Sequence, residues 1–296
     1  MTRYSVVIMT WNRCPELLRT LEAMTGLPGG PPVIVADNGS TDGTSAMVEE
    51  RFPRVVLLRL RENLGAVARN IAVRHVTTPY VLFCDDDTWW RPEAPDRAAD
   101  LLDAHPRLAS VTGLILVEPD RTEDPLTAEL RRSPLPAPPW LPGPALLGIL
   151  AGASMLRVRA FREAGGFSPR LWLGGEEELL ALDLAAADWW MCWAEQVVVH
   201  HAASPARDTR LRRRLGIRNT LWTAALRLPW PDVLRHARTV LGSAPLDRTT
   251  LAAVGDAMAG LPWVLRERRV VPDHVACGLR MLEGPRRASS ARRYVG

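Results

Sequence analysis

The chain has 296 residues, of which 47% are hydrophobic and 24% charged, with a formal net charge of +4. That length can bury a full core in one large or two small domains, and the mild basic excess lacks the concentrated footprint of a nucleic-acid binder, so no nucleic-acid partner is expected. The four cysteines, Cys14, Cys84, Cys192 and Cys277, stand far apart without metal-ligand spacing and read as reduced thiols of a cytoplasmic protein, while the apolar stretch 141–156 is too short, and too broken by Pro142, Gly143, Pro144, Gly148 and Gly152, to span a bilayer.

Arg3 and Tyr4 lead directly into an apolar run, Ser5–Thr10 (SVVIMT), with no secretory leader pattern. Such a run suits a strand covered on both faces. Leu17, Leu18, Leu21 and Met24 then recur at helical spacing, after Pro15 in a first turn that tolerates it. Glycines and prolines over 26–32 make a turn, and Val33–Ala36 is a second strand, ending in Asp37, Asn38 and Gly39. Ser40 and Thr41 are candidate caps for a helix through Met47 and Val48. A third strand, Val55–Leu60, is followed by the turn Asn63-Leu64-Gly65 and a helix with Val67 and Ile71 on one face. The fourth strand, Tyr80–Cys84, empties into three carboxylates, Asp85, Asp86 and Asp87.

Repeated strand–helix units predict an α/β fold with a mostly parallel sheet, and such sheets bind ligands at the carboxyl ends of their strands. Asp37 and Asp85 both fall there. Strand stability does not account for three adjacent carboxylates, because like charges repel and cannot be buried unpaired. They suit either a solvated acidic turn or a site for a hard divalent cation, Mg2+ or Mn2+, that keeps a diphosphate as co-ligand.

Further on, residues 105–117 hold a helix end and a strand. Pro119–Pro144 is an irregular, proline-rich excursion, read as lying over the active site with a short helix at 122–132 and Trp140 near its tip, to stack on a substrate or to pack. Ala151–Val158 is a strand whose Gly152, Ala153 and Ser154 permit close approach. Glu176, Glu177 and Glu178 open a helix in which acids are stabilised by the helix dipole, and Trp193–His201 is the last strand of the core. After Ser204 the pattern changes to an arginine-rich helix running from Asp208 to about Leu228. Helices at 234–241 and 246–265 follow, able to cover an acceptor, form a homodimer contact or lie on a membrane surface, and 285–296 reads as a mobile tail.

Four ordered stretches, SVVIMTWNR (5–13), VIVADNGSTDGT (33–44), NLGAVARNIA (63–72) and FCDDD (83–87), resemble family 2 glycosyltransferases with the GT-A fold, and the resemblance extends over residues 4–205. It implies a catalytic domain at 1–205, with a nucleotide-sugar-binding half at 1–118 and an acceptor-side half at 119–205, and a helical extension at 206–296. It further implies a UDP- or dTDP-sugar donor, a divalent metal (Mg2+ or Mn2+), and inversion at the transferred sugar onto a glycan, lipid-linked or small-molecule acceptor. By the same resemblance Thr10, Trp11, Arg13, Asp37, Asn63, Arg69, Asp85 and Asp86 surround the donor. Trp11, Asp37 and Arg69 also suit packing, a turn and a solvated helix face respectively. Asp87, Asp85 and His201 are the implied metal ligands, with His200 as the alternative to His201. The implied catalytic base is Glu177, with Glu176 its competitor. The family's further Asp and Arg on this helix are replaced by Leu179 and Asp183. A nucleotidyltransferase is the rival enzyme reading, but Thr10–Pro15 is not a Gly/Lys-rich phosphate loop. A catalytically idle binding module would be expected to have lost one of the two acidic clusters, and both are present.

Overall fold

A computed structural model of the protein describes residues 2–202 and 209–289. Nine strands form one mixed sheet: β1 (Tyr4–Thr10), β2 (Val33–Asp37), β3 (Val56–Arg59), β4 (Tyr80–Asp85), β5 (Thr88–Trp90), β6 (Leu108–Val117), β7 (Thr122–Glu123), β8 (Ser154–Arg157) and β9 (Trp190–His201). Their order is β3-β2-β1-β4-β8-β6-β9-β5, with β7 on β6. The pairs β3–β2, β2–β1, β1–β4 and β6–β9 are parallel. β8 runs antiparallel to both β4 and β6, and β5 antiparallel to β9. The α/β expectation holds, and the antiparallel strands sit in its second half.

The helices are α1 (Cys14–Thr25), α2 (Thr44–Arg51), α3 (Val67–Val73), α4 (Ala94–Ala104), α5 (Pro125–Arg131), α6 (Val158–Glu163) and α7 (Glu176–Ala186), then α8 (Thr209–Arg227), α9 (Trp230–Ser243), α10 (Arg248–Ala259), α11 (Leu261–Glu267) and α12 (Asp273–Ala288). Side chains alternate across each strand. Val6, Ile8, Leu82 and Cys84 therefore meet Leu17, Leu21 and Met24 of α1 and Ala98 and Leu102 of α4 on one face. Val7, Val81 and Phe83 meet Ala68 and Ala72 of α3 and Leu180 and Leu184 of α7 on the other. Both faces are buried, which is why the strands read as unbroken apolar runs. Phe83, Phe161 and Phe167 pack their rings 5.5–5.8 Å apart, each burial contributing about 1.5–3 kcal/mol.

Several expectations are corrected. Ser40 and Thr41 do not cap α2. Gly43, at φ +88°, occupies the cap position, and Ser40 and Thr41 instead bond Asn12, tying the loop after β2 to the loop after β1. β5 and α12 were not legible, α4 was expected only by its end near 105, and the helix expected over 246–265 breaks at Gly260 into α10 and α11. Residues 285–288, expected in a mobile tail, belong to α12, while 290–296, Asp208 and the junction at 205–206 lie outside the described residues.

The largest correction concerns the excursion over 119–144. Trp140 packs edge-on against Trp190 at 5.9 Å and lies 6.0 Å from His105. Trp190 pairs with Leu108 where β9 and β6 begin, whereas these strands end at His201 and Val117. The excursion thus runs to the far end of the sheet from the carboxylates, where its aromatic and proline surface finds an apolar edge to cover. β8 is antiparallel because the chain re-enters the sheet from the carboxylate end. Among the described residues no helix is long and apolar enough to cross a membrane.

Candidate active site

The end of β4 and the tight turn into β5 hold the three aspartates, and each points a different way. Their backbone is fixed on several sides. Thr20 of α1 donates its hydroxyl to the Asp86 carbonyl at 2.8 Å, Thr88 Oγ1 accepts from the Asp85 N–H at 2.8 Å, and Ala202 N–H donates to the Asp87 carbonyl at 2.9 Å.

Asp85, at the strand end, faces the cleft and pairs with Arg69 of α3. Asp86 turns inward. Thr10 Oγ1 and the Arg13 guanidinium donate to it at 3.0 and 3.2 Å, and burial pushes its pKa up to about 7 against the pull of Arg13. Asp87 is buried, accepts from Arg13 at 3.2 Å, and stands 3.8 Å from His201 Nε2. Arg13 therefore bridges two carboxylates from a position just after β1. Trp11 beside it is half exposed.

Alternation along β9 separates the two histidines. His200 Nδ1 lies 2.6 Å from Glu118 Oε1, and its ring stacks on Trp89. His201 faces Asp87. Trp89 and Trp90 belong to β5, and Trp90 is fully buried.

Arg69 is not on a solvated helix face. It is 3% exposed, its guanidinium lies over the Phe167 ring, and its charge faces Asp85, Glu177 and Glu176 together. It is the cation shared by the two acidic clusters. Asn70 beside it pins the Phe167 backbone through both N–H and carbonyl, at 2.9 and 2.8 Å.

Asp37 is buried at its turn, accepting from Ser40 N–H at 2.9 Å and from the Ser45 hydroxyl. Asn63 accepts from Gly65 N–H at 3.0 Å, and its carbonyl receives the Trp172 indole N–H at 2.9 Å. Gly65 has φ +60°, and a Cβ there would lie 2.1 Å from the Trp172 carbonyl. A side chain at 65 would push away the loop 168–175, which leads directly into the glutamates.

The three glutamates of α7 also diverge. Glu177 accepts from the Ala151 N–H at 2.5 Å. Burial, reinforced by the charge of Glu176, raises its carboxyl to about 8. Glu176 is buried and likewise raised, mainly by burial, and its Oε2 finds no hydrogen-bond partner among the described residues. Glu178 points elsewhere, to a cavity between α7, α8, α9 and α12 lined by Leu182, Thr223, Leu228, Val240 and Leu279. Close approach at 152 is also explained. A Cβ on Gly152 would lie 2.8 Å from Asp85 Oδ2, so the turn carrying Ala151 can seat itself between the two acidic clusters. Asp183, which breaks the expected pattern on α7, forms a two-pronged pair with Arg227 of α8 at 2.5 and 3.0 Å.

Asn219 of α8 was missed by the sequence reading, where it sits beside arginines as an ordinary polar position. It is fully buried and donates to the carbonyls of Leu171 (2.8 Å), Leu173 (3.1 Å) and Gly174. Gly174 and Gly175, both at φ +86°, complete the loop it clamps. Arg218, the neighbour of Asn219 on α8, reaches the same loop. It lies 4.4 Å over the Trp222 ring and bonds the Leu171 carbonyl at 3.1 Å. Asn219→Ala would strand the Leu173 and Gly174 carbonyls, each costing about 1–3 kcal/mol if left unpaired, while the Leu171 carbonyl keeps Arg218. The expected result is a kcat about tenfold lower at unchanged donor affinity, with a displaced pH profile, as befits a residue that positions the glutamates. A lower melting temperature at normal kcat would reduce Asn219 to a packing role.

A strand-end carboxylate triplet, a shared buried arginine and an acidic helix start over an α/β sheet define the GT-A glycosyltransferase architecture. The model of the family "Glycosyl transferase family 2" matches residues 5–165, more than half of the chain, and the protein belongs to that family. It is 30% identical over 239 residues, 69% of this chain and 78% of the relative, to the N-acetylglucosaminyl-diphospho-decaprenol L-rhamnosyltransferase of Mycobacterium tuberculosis. Its fold is similar to the mannosyltransferase PcManGT from Pyrobaculum calidifontis, solved in complex with GDP-Man and Mn2+. The TM-score there is 0.58 and the identity 21%, over 95% of this chain and 75% of that one. The structure of S. aureus TarS 1–349 is similar with a TM-score of 0.60 and 18% identity, over 98% of this chain and 93% of that one.

Proposed function

We propose that the protein transfers one sugar from a UDP- or dTDP-linked donor to an acceptor hydroxyl, with inversion and with the help of Mg2+ or Mn2+. The observation that carries this reading is the single buried Arg69 between Asp85 and the Glu176–Glu177 pair, which brings donor-side and acceptor-side acids to one floor. Residues 1–118 supply the donor side. Within 119–205 the acceptor side comes from Ala151, Gly152 and the start of α7, and the extension from 206 holds that start in place through Asn219.

The donor set suits a hard cation. No cluster of three or more protein ligands stands preformed among the described residues. Asp87 and His201, at 3.8 Å, are close enough to share one ion, with Asp85 at the cleft mouth and the donor's own phosphates completing the shell, as hard cations with few protein ligands require. A cation held by these residues would supply charge neutralisation for the departing diphosphate. Arg13 and Arg69 orient the carboxylates, Thr10, Trp11, Asp37 and Asn63 shape the nucleotide wall, and Glu177 takes the acceptor proton as the acceptor oxygen attacks.

The name of the mycobacterial relative makes a diphospho-polyprenol-linked acceptor and an L-rhamnosyl donor the first pair to try. Four free cysteines support a reducing, cytoplasmic setting. The test is a screen of nucleotide-sugars for slow, metal-dependent hydrolysis, followed by NMR of the transferred product. Opposite anomeric configuration to the donor is expected, and retention would overturn the mechanism. His201→Ala should weaken nucleoside-diphosphate affinity chiefly when Mn2+ is present, while His200→Ala, removing a ring turned to Glu118 and Trp89, should not. Equal weakening with and without Mn2+ would assign His201 to packing.

A further inference from the structure

The helical extension differs from the rest of the chain in charge and in surface. Residues 206–296 carry 18 arginines against 7 carboxylates, whereas residues 1–205 carry 19 against 26. Most carboxylates of the extension are already matched within it. Asp256 pairs with Arg214 at 2.6 Å, Asp232 with Arg280 at 3.2 Å, Glu283 with Arg235 at 3.1 Å, and Asp247 with Arg213. Arg210, Arg238, Arg248 and Arg269 are exposed and make no ion pair among the described residues.

Large apolar side chains stand in water among these cations. α9, α10 and α11 all pack on α8, which takes up Val240, Ala253, Ala257 and Val264 from their inner faces. Leu251 and Met258, two turns apart on α10, and Leu265 on α11 beyond the break at Gly260 are 69%, 61% and 53% exposed. Leu246, just before α10, is 96% exposed, and Trp230 and Leu234 on α9 are each more than half exposed. Scattered single apolar residues need no explanation, but a stripe flanked by unmatched arginines does.

We propose that this outer face of α9, α10 and α11 docks on an anionic phospholipid bilayer, with the apolar stripe entering the headgroup region and the arginines meeting lipid phosphates. Arginines around exposed Leu, Met and Trp are the composition that an anionic interface retains. A second copy of the chain fits less well, because a two-fold contact would press two cationic faces together. Docking would also orient the cleft. Arg170, in the loop that leads to the glutamates, pairs with Glu267 of α11 at 3.4 Å and lies over Trp263. The proposal does not depend on the identity of donor or acceptor.

Flotation of the full chain with vesicles free of any glycosyl acceptor tests it. Vesicles of equimolar phosphatidylglycerol and phosphatidylcholine should carry the protein upward, phosphatidylcholine alone should not, and added salt should release it. Arg238→Gln and Arg248→Gln should each weaken binding by about fivefold. The triple variant Leu251→Ser/Met258→Ser/Leu265→Ser should weaken it by about tenfold or more, at an unchanged melting temperature, since none of the three sits in the core. Failure to float with anionic vesicles would overturn the proposal, as would equal binding to phosphatidylcholine alone or full binding by the triple variant. So would a concentration-dependent dimer, seen by light scattering, that the triple variant abolishes without any vesicle binding by the wild type.

Discussion

Glu177→Gln should lower turnover by about a hundredfold or more, the usual effect of removing a general base, while donor affinity stays near that of the wild type. The substitution keeps the size of the side chain and its place against the Ala151 N–H, and removes only basicity. A loss confined to kcat marks a group used in the transition state alone. The pH dependence carries a second signature. In the free enzyme the Glu177 carboxyl is raised to about 8 by burial and by Glu176, so below that pH most molecules hold a proton where the base must be empty. The kcat/KM of the wild type should therefore climb with pH until about 8, and the Gln variant should lose that limb. Near-normal turnover in Glu177→Gln with collapse in Glu176→Gln would move the base one residue back.

The same shift has a consequence for stability. The folded value lies above the ordinary 4.5, so the folded protein holds a proton that the unfolded chain has released. Stability from this group is complete below about 4.5 and is lost as pH rises toward 8. Glu177→Gln should consequently raise the melting temperature at pH 8 and leave it nearly unchanged at pH 4, read by calorimetry at both. A variant that is both more stable and nearly inactive is the expected mark of a buried carboxylate that serves as the proposed base. Equal melting temperatures at pH 8 would show that the carboxyl is better solvated than its surroundings indicate.

Asp87→Ala should abolish metal-supported binding of a nucleoside diphosphate. Asp87 is buried, and its carboxylate faces His201 on one side and Arg13 on the other. Removing it takes away the proposed metal ligand and leaves the diphosphate charge less compensated. Titration calorimetry with a nucleoside diphosphate should show enhancement by Mn2+ in the wild type and none in the variant. Unchanged affinity in the presence of Mn2+ would remove Asp87 from the metal site. Asp85→Ala acts both at the proposed metal and on Arg69, the partner of Asp85. It should loosen the arginine that faces the glutamates and lower turnover as well as binding.

The amino-acid sequence by itself determined the first half of the sheet and the position of its acids. Unbroken apolar runs at 5–10, 33–36 and 80–84 can only be strands covered on both faces, and each is followed by polar residues where a parallel sheet opens. This local period set the α/β class, and the family resemblance carried by the ordered motifs implied the GT-A fold and put Asp37, Asp85, Asp86, Asp87, Glu176 and Glu177 forward. Which way each acid points was not legible, because neighbours in a turn or a first helical turn have no fixed period. Tertiary contacts decided it. Arg69 claims Asp85, Thr10 and Arg13 hold Asp86, and His201 lies by Asp87 because β9 alternates and gives His200 to Glu118. The course of 119–144 was also beyond the sequence. A chain rich in proline has no period to read, and what placed it was an aromatic edge, Trp190 with His105, supplied by residues more than thirty positions away. Asn219 shows the same limit most clearly. An asparagine among arginines is a surface residue by composition, and only the packing of α8 against the loop before α7 buries it and turns its amide onto three carbonyls.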